Sequence, residues 1–312
     1  MKFKNSDVRQ KMIMTGDRFR IIKYDQPYSQ KSHSSRYDSG CKPPKPNQQA
    51  RRDRNRAYSA RKANARIRDL IYSNYGYYNE FAKFFTLTFK GDAGLPKANK
   101  KFHLFIKQVN NFFKTINGRK LQYIAVPEFQ NRGATHYHVI VFNFPFIDGR
   151  DIFHKTINEL WPCGYIEVKG LDVSNGLEPV MLYMTKYIRT QKLDPRFDHK
   201  KRFFHSEGLF LPQIIKNSYP EHEIFIQLVK TYMARFCKET KISDNKFLGN
   251  IETAEYIMDE DAHNYISKEL LDAMPDEIIS KLPPNSPFVV AMRNHFTKID
   301  NEKTLDSLFL NS

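Results

Sequence analysis

Cysteine is scarce in this 312-residue chain: Cys41, Cys163 and Cys237 are odd in number and far apart. They make neither a disulfide framework nor a zinc knuckle, which points to a reducing cytoplasm. No stretch is long and apolar enough to span a bilayer. The N-terminus, MKFKNSDVRQKMIMTGD, lacks the apolar centre of a signal peptide. No G-x-x-x-x-G-K-S/T occurs, so the chain carries no P-loop and no ATP-driven motor. There is no internal repeat. Acidic residues are also in deficit, with 34 Asp and Glu against 50 Lys and Arg, for a net charge of +16. A balance of that sign favours a polyanionic partner, nucleic acid before a membrane surface.

Residues 1–56 are polar, basic and rich in Ser, Gln and Pro, without a sustained period, and are expected to be a flexible arm able to touch phosphates. A helix is expected over 57–74, with an apolar stripe of Ile67, Leu70 and Ile71. Its other face carries Arg61, Lys62, Arg66 and Arg68, either as a track for a nucleic-acid backbone or as a solvated surface. FFTLTF at 84–89 reads as a buried strand. From Pro96 to about Ile116, Phe102, Phe105, Ile106, Val109, Phe112, Phe113 and Ile116 recur at helical spacing and should be core. Strands at 121–129 and 136–144 flank a turn at 131–133, forming a hairpin. A short helix at 152–160, a strand at 165–168 and a helix at 178–190 follow. This order suggests an α+β sandwich of ferredoxin-like type over 57–217, with helices on one face of the sheet. Residues 218–312 are expected to be helical, with a helix from 221 to about 239 and a more acidic composition beyond Ser243.

Chemistry concentrates at one place. His136 and His138 sit at i and i+2 of a strand, so both imidazoles point to one face, and Glu128 stands eight residues earlier on the partner strand. Imidazole with carboxylate suits a divalent ion such as Mg²⁺, Mn²⁺ or Zn²⁺, and three protein ligands leave positions open for a phosphate oxygen. An isolated H-x-H is as readily a pair of half-buried core histidines. On the 178–190 helix, Tyr183 and Tyr187 are i and i+4, with Lys186 beside them. A phenol is a poor nucleophile at neutral pH, and a nearby ammonium favours its phenolate. Packing anchors are the alternative for these tyrosines. Arg132 either clamps a phosphate or caps the hairpin turn.

Taken in order, FFTLTF at 84–89, PEFQNRGATHYHVIVF at 127–142 and YMTKY at 183–187 resemble the three motifs of the HUH endonuclease family, the rolling-circle replication initiators of small plasmids and single-stranded DNA phages. The resemblance spans roughly residues 60–215. It implies an RRM-like fold with a central antiparallel sheet of about five strands flanked by helices. It assigns Glu128, His136 and His138 to a divalent metal, Mg²⁺ or Mn²⁺, and Tyr183 to the nucleophile with Lys186 as its helper. Tyr187 matches the second tyrosine of phage members. The activity implied is metal-dependent, site-specific nicking and joining of single-stranded or hairpin origin DNA through a covalent 5′-phosphotyrosine. A host helicase and DNA polymerase would complete replication in the cytoplasm of a bacterial host. Rival readings are a relaxase or a single-stranded-DNA tyrosine transposase, and, in another class, a non-catalytic single-strand binder.

Overall fold

The computed structural model describes residues 8–28, 48–78, 82–130, 133–144, 150–171, 176–245, 248–259, 261–295 and 297. In chain order, the strands are β1 (Val8–Thr15), β2 (Arg18–Tyr28), β3 (Lys83–Phe89), β4 (Tyr123–Phe129), β5 (Thr135–Val141), β6 (Gly164–Gly170), β7 (Phe204–His205), β8 (Gln213–Lys216), β9 (Cys237–Asn245) and β10 (Gly249–Ile257). The α-helices are α1 (Gln48–Tyr78), α2 (Leu95–Asn117), α3 (Arg150–Leu160), α4 (Glu178–Thr190), α5 (Pro220–Tyr232), α6 (Lys268–Asp272) and α7 (Asp276–Ile279). The protein is α+β, and the chain divides into two compact units: Gly40–Leu209, and Met1–Ser39 with Phe210–Ser312.

The 40–209 unit holds an antiparallel sheet in the order β6-β3-β5-β4-β7. Side chains alternate across a strand, so each strand serves two faces. On one face Phe85 and Leu87 of β3, Tyr123 and Ala125 of β4, and Tyr137 and Val139 of β5 pack under α2 and α3. The α2 stripe expected from sequence does this work: Phe102, Phe105, Ile106, Val109 and Phe113 are buried there. On the other face Ile124, Val126, Ile140 and Phe142 meet Ile67, Leu70 and Ile71 of α1 and Val180, Met184 and Ile188 of α4. Helices therefore cover both faces, where the sequence led us to expect one. The reason lies in β5, whose seven residues are all buried; a strand with no polar side reads as an unbroken apolar run. Gly164 opens β6 because a Cβ there would stand 2.0 Å from the Thr88 carbonyl oxygen.

The second unit corrects the expected arm. Residues 8–28, expected within a flexible segment over 1–56, form the β1–β2 hairpin at the centre of a sheet ordered β8-β1-β2-β10-β9. Met12, Met14, Phe19 and Ile21 alternate along this hairpin and bury against Phe225, Ile226 and Val229 of α5, and Phe19 stacks on Tyr256 at 4.4 Å. The expected helix from 221 to 239 stops at Tyr232, and Cys237–Ile257 forms a second hairpin, β9–β10, in a region expected to be helical. β9 is exposed along almost its whole length, so it carries no inward-outward alternation to mark it as a strand. α6 and α7 are helical as expected, but short. Among the described residues no helix is long and apolar enough to cross a membrane. Cys163 and Cys237 are free thiols, and Cys41 lies outside the described residues.

Candidate active site

The β4–β5 register sets Glu128 directly opposite His136 and Val126 opposite His138. By strand parity all three polar side chains face α1 and α4. One ligand atom from each of Glu128, His136 and His138 lies within 4.8 Å of the others. Glu128 Oε2 and His138 Nε2 are 2.7 Å apart, and both imidazoles are buried while the carboxylate is half-buried. The hairpin that joins the strands is tight: Gln130 N–H donates to the Ala134 carbonyl at 2.9 Å, and Gly133 N–H donates to the Gln130 carbonyl at 2.8 Å. Gly133 has φ 87°, the left-handed region that costs glycine nothing. Gln130 Nε2 lies 3.5 Å from His136 Nδ1. Arg132, on the same turn, lies outside the described residues.

The donor set fits a divalent ion. Two imidazoles and one carboxylate converge from two strands of a rigid sheet, and three donors are what an open catalytic centre uses. Among the described residues, no other cluster of three or more such side chains has this spacing.

The tyrosines reach the same place from α4. Val180, Met184 and Ile188 bury the helix against the sheet. That turns Tyr183 and Tyr187, one helical turn apart, toward β5. The Tyr187 ring lies flat on His138, with centroids 4.2 Å apart and planes 5° from parallel. Tyr183 meets His138 edge-on at 5.6 Å and Tyr187 edge-on at 5.4 Å. Tyr183 keeps 40% of its surface exposed, whereas Tyr187 is half-buried. Burial, then a hydrogen bond with the Tyr183 hydroxyl, then the Glu128 carboxylate push the Tyr187 phenol well above its ordinary pKa. The exposed Lys186 holds its ammonium 5.8 Å from the Tyr187 ring centre.

Residues 82–192 match the family model of the replication-associated protein ORF2. The match covers about a third of the chain and includes Glu128, His136, His138, Tyr183, Lys186 and Tyr187. It is consistent with a replication initiator of the Rep type. No curated protein and no solved structure matches the chain.

The remaining sequence candidates lie on α1, which packs beside α4 on this face of the sheet. Arg61 is exposed there, Arg66 is half-buried, and Arg68 lies 3.3 Å from the Asp69 carboxylate. Sequence reasoning misses one residue of the site. Phe84 reads as core, yet its ring stands 5.9 Å from that of His138 and 5.2 Å from that of Tyr183. The signal is present in the strand: Thr86 pairs with His138, so Phe84, two residues away, shares the histidine face while Phe85 takes the other.

Proposed function

We propose that this protein initiates rolling-circle replication by nicking one strand of an origin and holding the cut end on a tyrosine. The observation that carries this reading is the convergence of two phenols from α4 and the Glu128, His136 and His138 side chains on one face of one sheet. Glu128, His136 and His138 would hold a divalent ion, Mg²⁺ or Mn²⁺. When bound, that ion polarises a phosphodiester and orients it.

The chain's own residues supply the rest. Tyr183, the more exposed phenol, attacks phosphorus. The Tyr183 Oη–P bond forms as the P–O3′ bond breaks, the phenolic proton leaves, and the 3′ oxygen takes one up. The 5′ side of the cut remains as a phosphotyrosine ester, and the free 3′-hydroxyl primes a host polymerase. Because one ester replaces another, the step reverses as rejoining without ATP. Lys186 brings positive charge to the phosphoryl group. Tyr187, hydrogen-bonded to Tyr183, is the second acceptor when the strand is closed. A host helicase would open the duplex.

The test is covalent capture. Wild-type protein mixed with single-stranded origin DNA and Mn²⁺ should yield an adduct that survives denaturation. The adduct should vanish in Tyr183→Phe and in the presence of a chelator. His136→Ala or His138→Ala should abolish cleavage and leave DNA affinity nearly unchanged, since phosphate contacts are spread over many basic side chains. Salt-sensitive DNA binding with no adduct in any condition would instead favour a non-catalytic single-strand binder.

A further inference from the structure

The end of α4 is tied to the sheet by one side chain. Gln191 follows the last residue of α4, and its backbone N–H donates to the Tyr187 carbonyl at 3.0 Å. Its carboxamide turns toward β4: Nε2 donates to the Phe129 carbonyl at 2.9 Å, and Oε1 accepts from the Phe129 N–H at 3.4 Å. The reason these two backbone groups are available is the ladder itself. Gln130 N–H donates across the hairpin to Ala134, so the polar groups of Phe129, one residue earlier, point to the opposite edge of β4. There β7 pairs with β4 only at Ile124 and Ala125. The Gln191 carboxamide therefore takes the place a neighbouring strand would have at Phe129.

The other end of this strut is fixed too. The Arg202 guanidinium, buried and lying over the Phe197 ring at 4.8 Å, donates to the carbonyls of Gln191 at 3.2 Å and Lys192 at 2.9 Å. It also donates to the Arg56 carbonyl on α1 at 3.3 Å. Gln191 is thus held by its backbone from one side and by its carboxamide from the other. The lever is short in both directions. Gln191 stands one turn beyond Tyr187 and two beyond Tyr183, and Phe129 stands one residue beyond Glu128.

We infer that Gln191 is a positioning residue: its clamp on Phe129 sets the tyrosine hydroxyls of α4 against the Glu128, His136 and His138 side chains. The chemical consequence rests on the nuclease reading above; the geometric one does not. Apolar packing through Val180, Met184 and Ile188 keeps α4 on the sheet but does not fix its slide along it, because ridges of similar side chains fit at more than one offset. The two hydrogen bonds do.

The full-length Gln191→Met variant tests this, since it keeps the length and the apolar stem and removes both hydrogen bonds. Three quantities should be compared with wild type: the nuclear Overhauser effect between the Tyr187 and His138 rings, the affinity for Mn²⁺, and kcat and KM for adduct formation. The Overhauser effect should weaken and kcat should fall roughly 10- to 100-fold, as expected for reacting groups displaced by about an ångström. KM and Mn²⁺ affinity should stay within about twofold of wild type, because every ligand is intact. An unchanged Overhauser effect and kcat would overturn the proposal, as would a fall in kcat matched by weaker Mn²⁺ binding or by unfolding. Should the wild type form no adduct, the nuclease reading falls, and the Overhauser effect in Gln191→Met still decides the clamp. Gln191→Glu, which retains the acceptor for the Phe129 N–H but turns a second oxygen toward the Phe129 carbonyl, should behave like Gln191→Met.

Discussion

Tyr183 and Tyr187 share a helix face but not an environment. Tyr187 lies flat on a buried imidazole, close to a carboxylate, and its phenol is held protonated by all three influences acting on it. Tyr183 stands edge-on and is more open to solvent. On the proposed chemistry Tyr183 therefore attacks first, with the Tyr187 hydroxyl next to its oxygen. Tyr187→Phe keeps the ring on His138 and deletes only the hydroxyl. The first adduct should then persist, slowed by no more than about tenfold, the worth of one hydrogen bond, while transfer of a second strand disappears. Peptide mapping of the adduct gives the answer directly, and a first-turnover adduct on Tyr187 in the wild type would reverse the assignment. At this scale the metal cluster is legible in the sequence because strand parity alone aligns His136 with His138. Phe84 and Gln191 are not, since their roles depend on which strand neighbours which and on where one helix end lands.

At the scale of elements, periodicity succeeds wherever one side of an element is apolar. The α2 stripe and the Ile67, Leu70 and Ile71 stripe of α1 bury as their spacing demands. It fails where composition masks a real alternation. Met12, Met14, Phe19 and Ile21 have the period of a hairpin, but they precede a Ser-, Gln- and Pro-rich stretch that gives the whole segment the look of an arm. α1 also begins nine residues earlier than expected, at Gln48, adding a basic stretch that includes Arg51, Arg52 and Arg54. If the exposed face of α1 tracks a single strand, Arg61→Glu should weaken binding and make the slope of log K against log salt shallower by about 0.7 for each phosphate no longer neutralised. Anisotropy titrations over a salt series read that slope. An unaltered slope would leave Arg61 a solvated charge, and the adduct yield at saturating DNA should not move in either case.

Across the whole molecule the chain leaves one unit, builds the other, and returns. β1 pairs with β8 through Met12 and Ile215, and β2 pairs with β10 through Ile21 and Ala254. Pairings between strands some two hundred residues apart leave no local trace, because nothing within a window of a dozen residues refers to the partner. A boundary at 57–217, set by the motifs in the middle of the chain, therefore misses the strands at the two ends. Each unit nonetheless buries a tyrosine in its own way, and both make the same prediction about alkali. Burial pushes the Tyr24 phenol in one unit and the Tyr123 phenol in the other up to about 12, and moves Tyr137, which donates to Asn99 at 2.6 Å, in the same direction. A phenol raised on folding stays neutral in the native state at a pH where the unfolded chain has already ionised. Its contribution is whole below the ordinary value near 10 and drains away as pH climbs from there through 12. Calorimetric melting temperatures should consequently hold level toward pH 10 and then descend. Tyr123→Phe, which removes a titrating hydroxyl and little else, should soften that descent, whereas a decline of equal steepness in the variant would place the alkaline sensitivity on other groups.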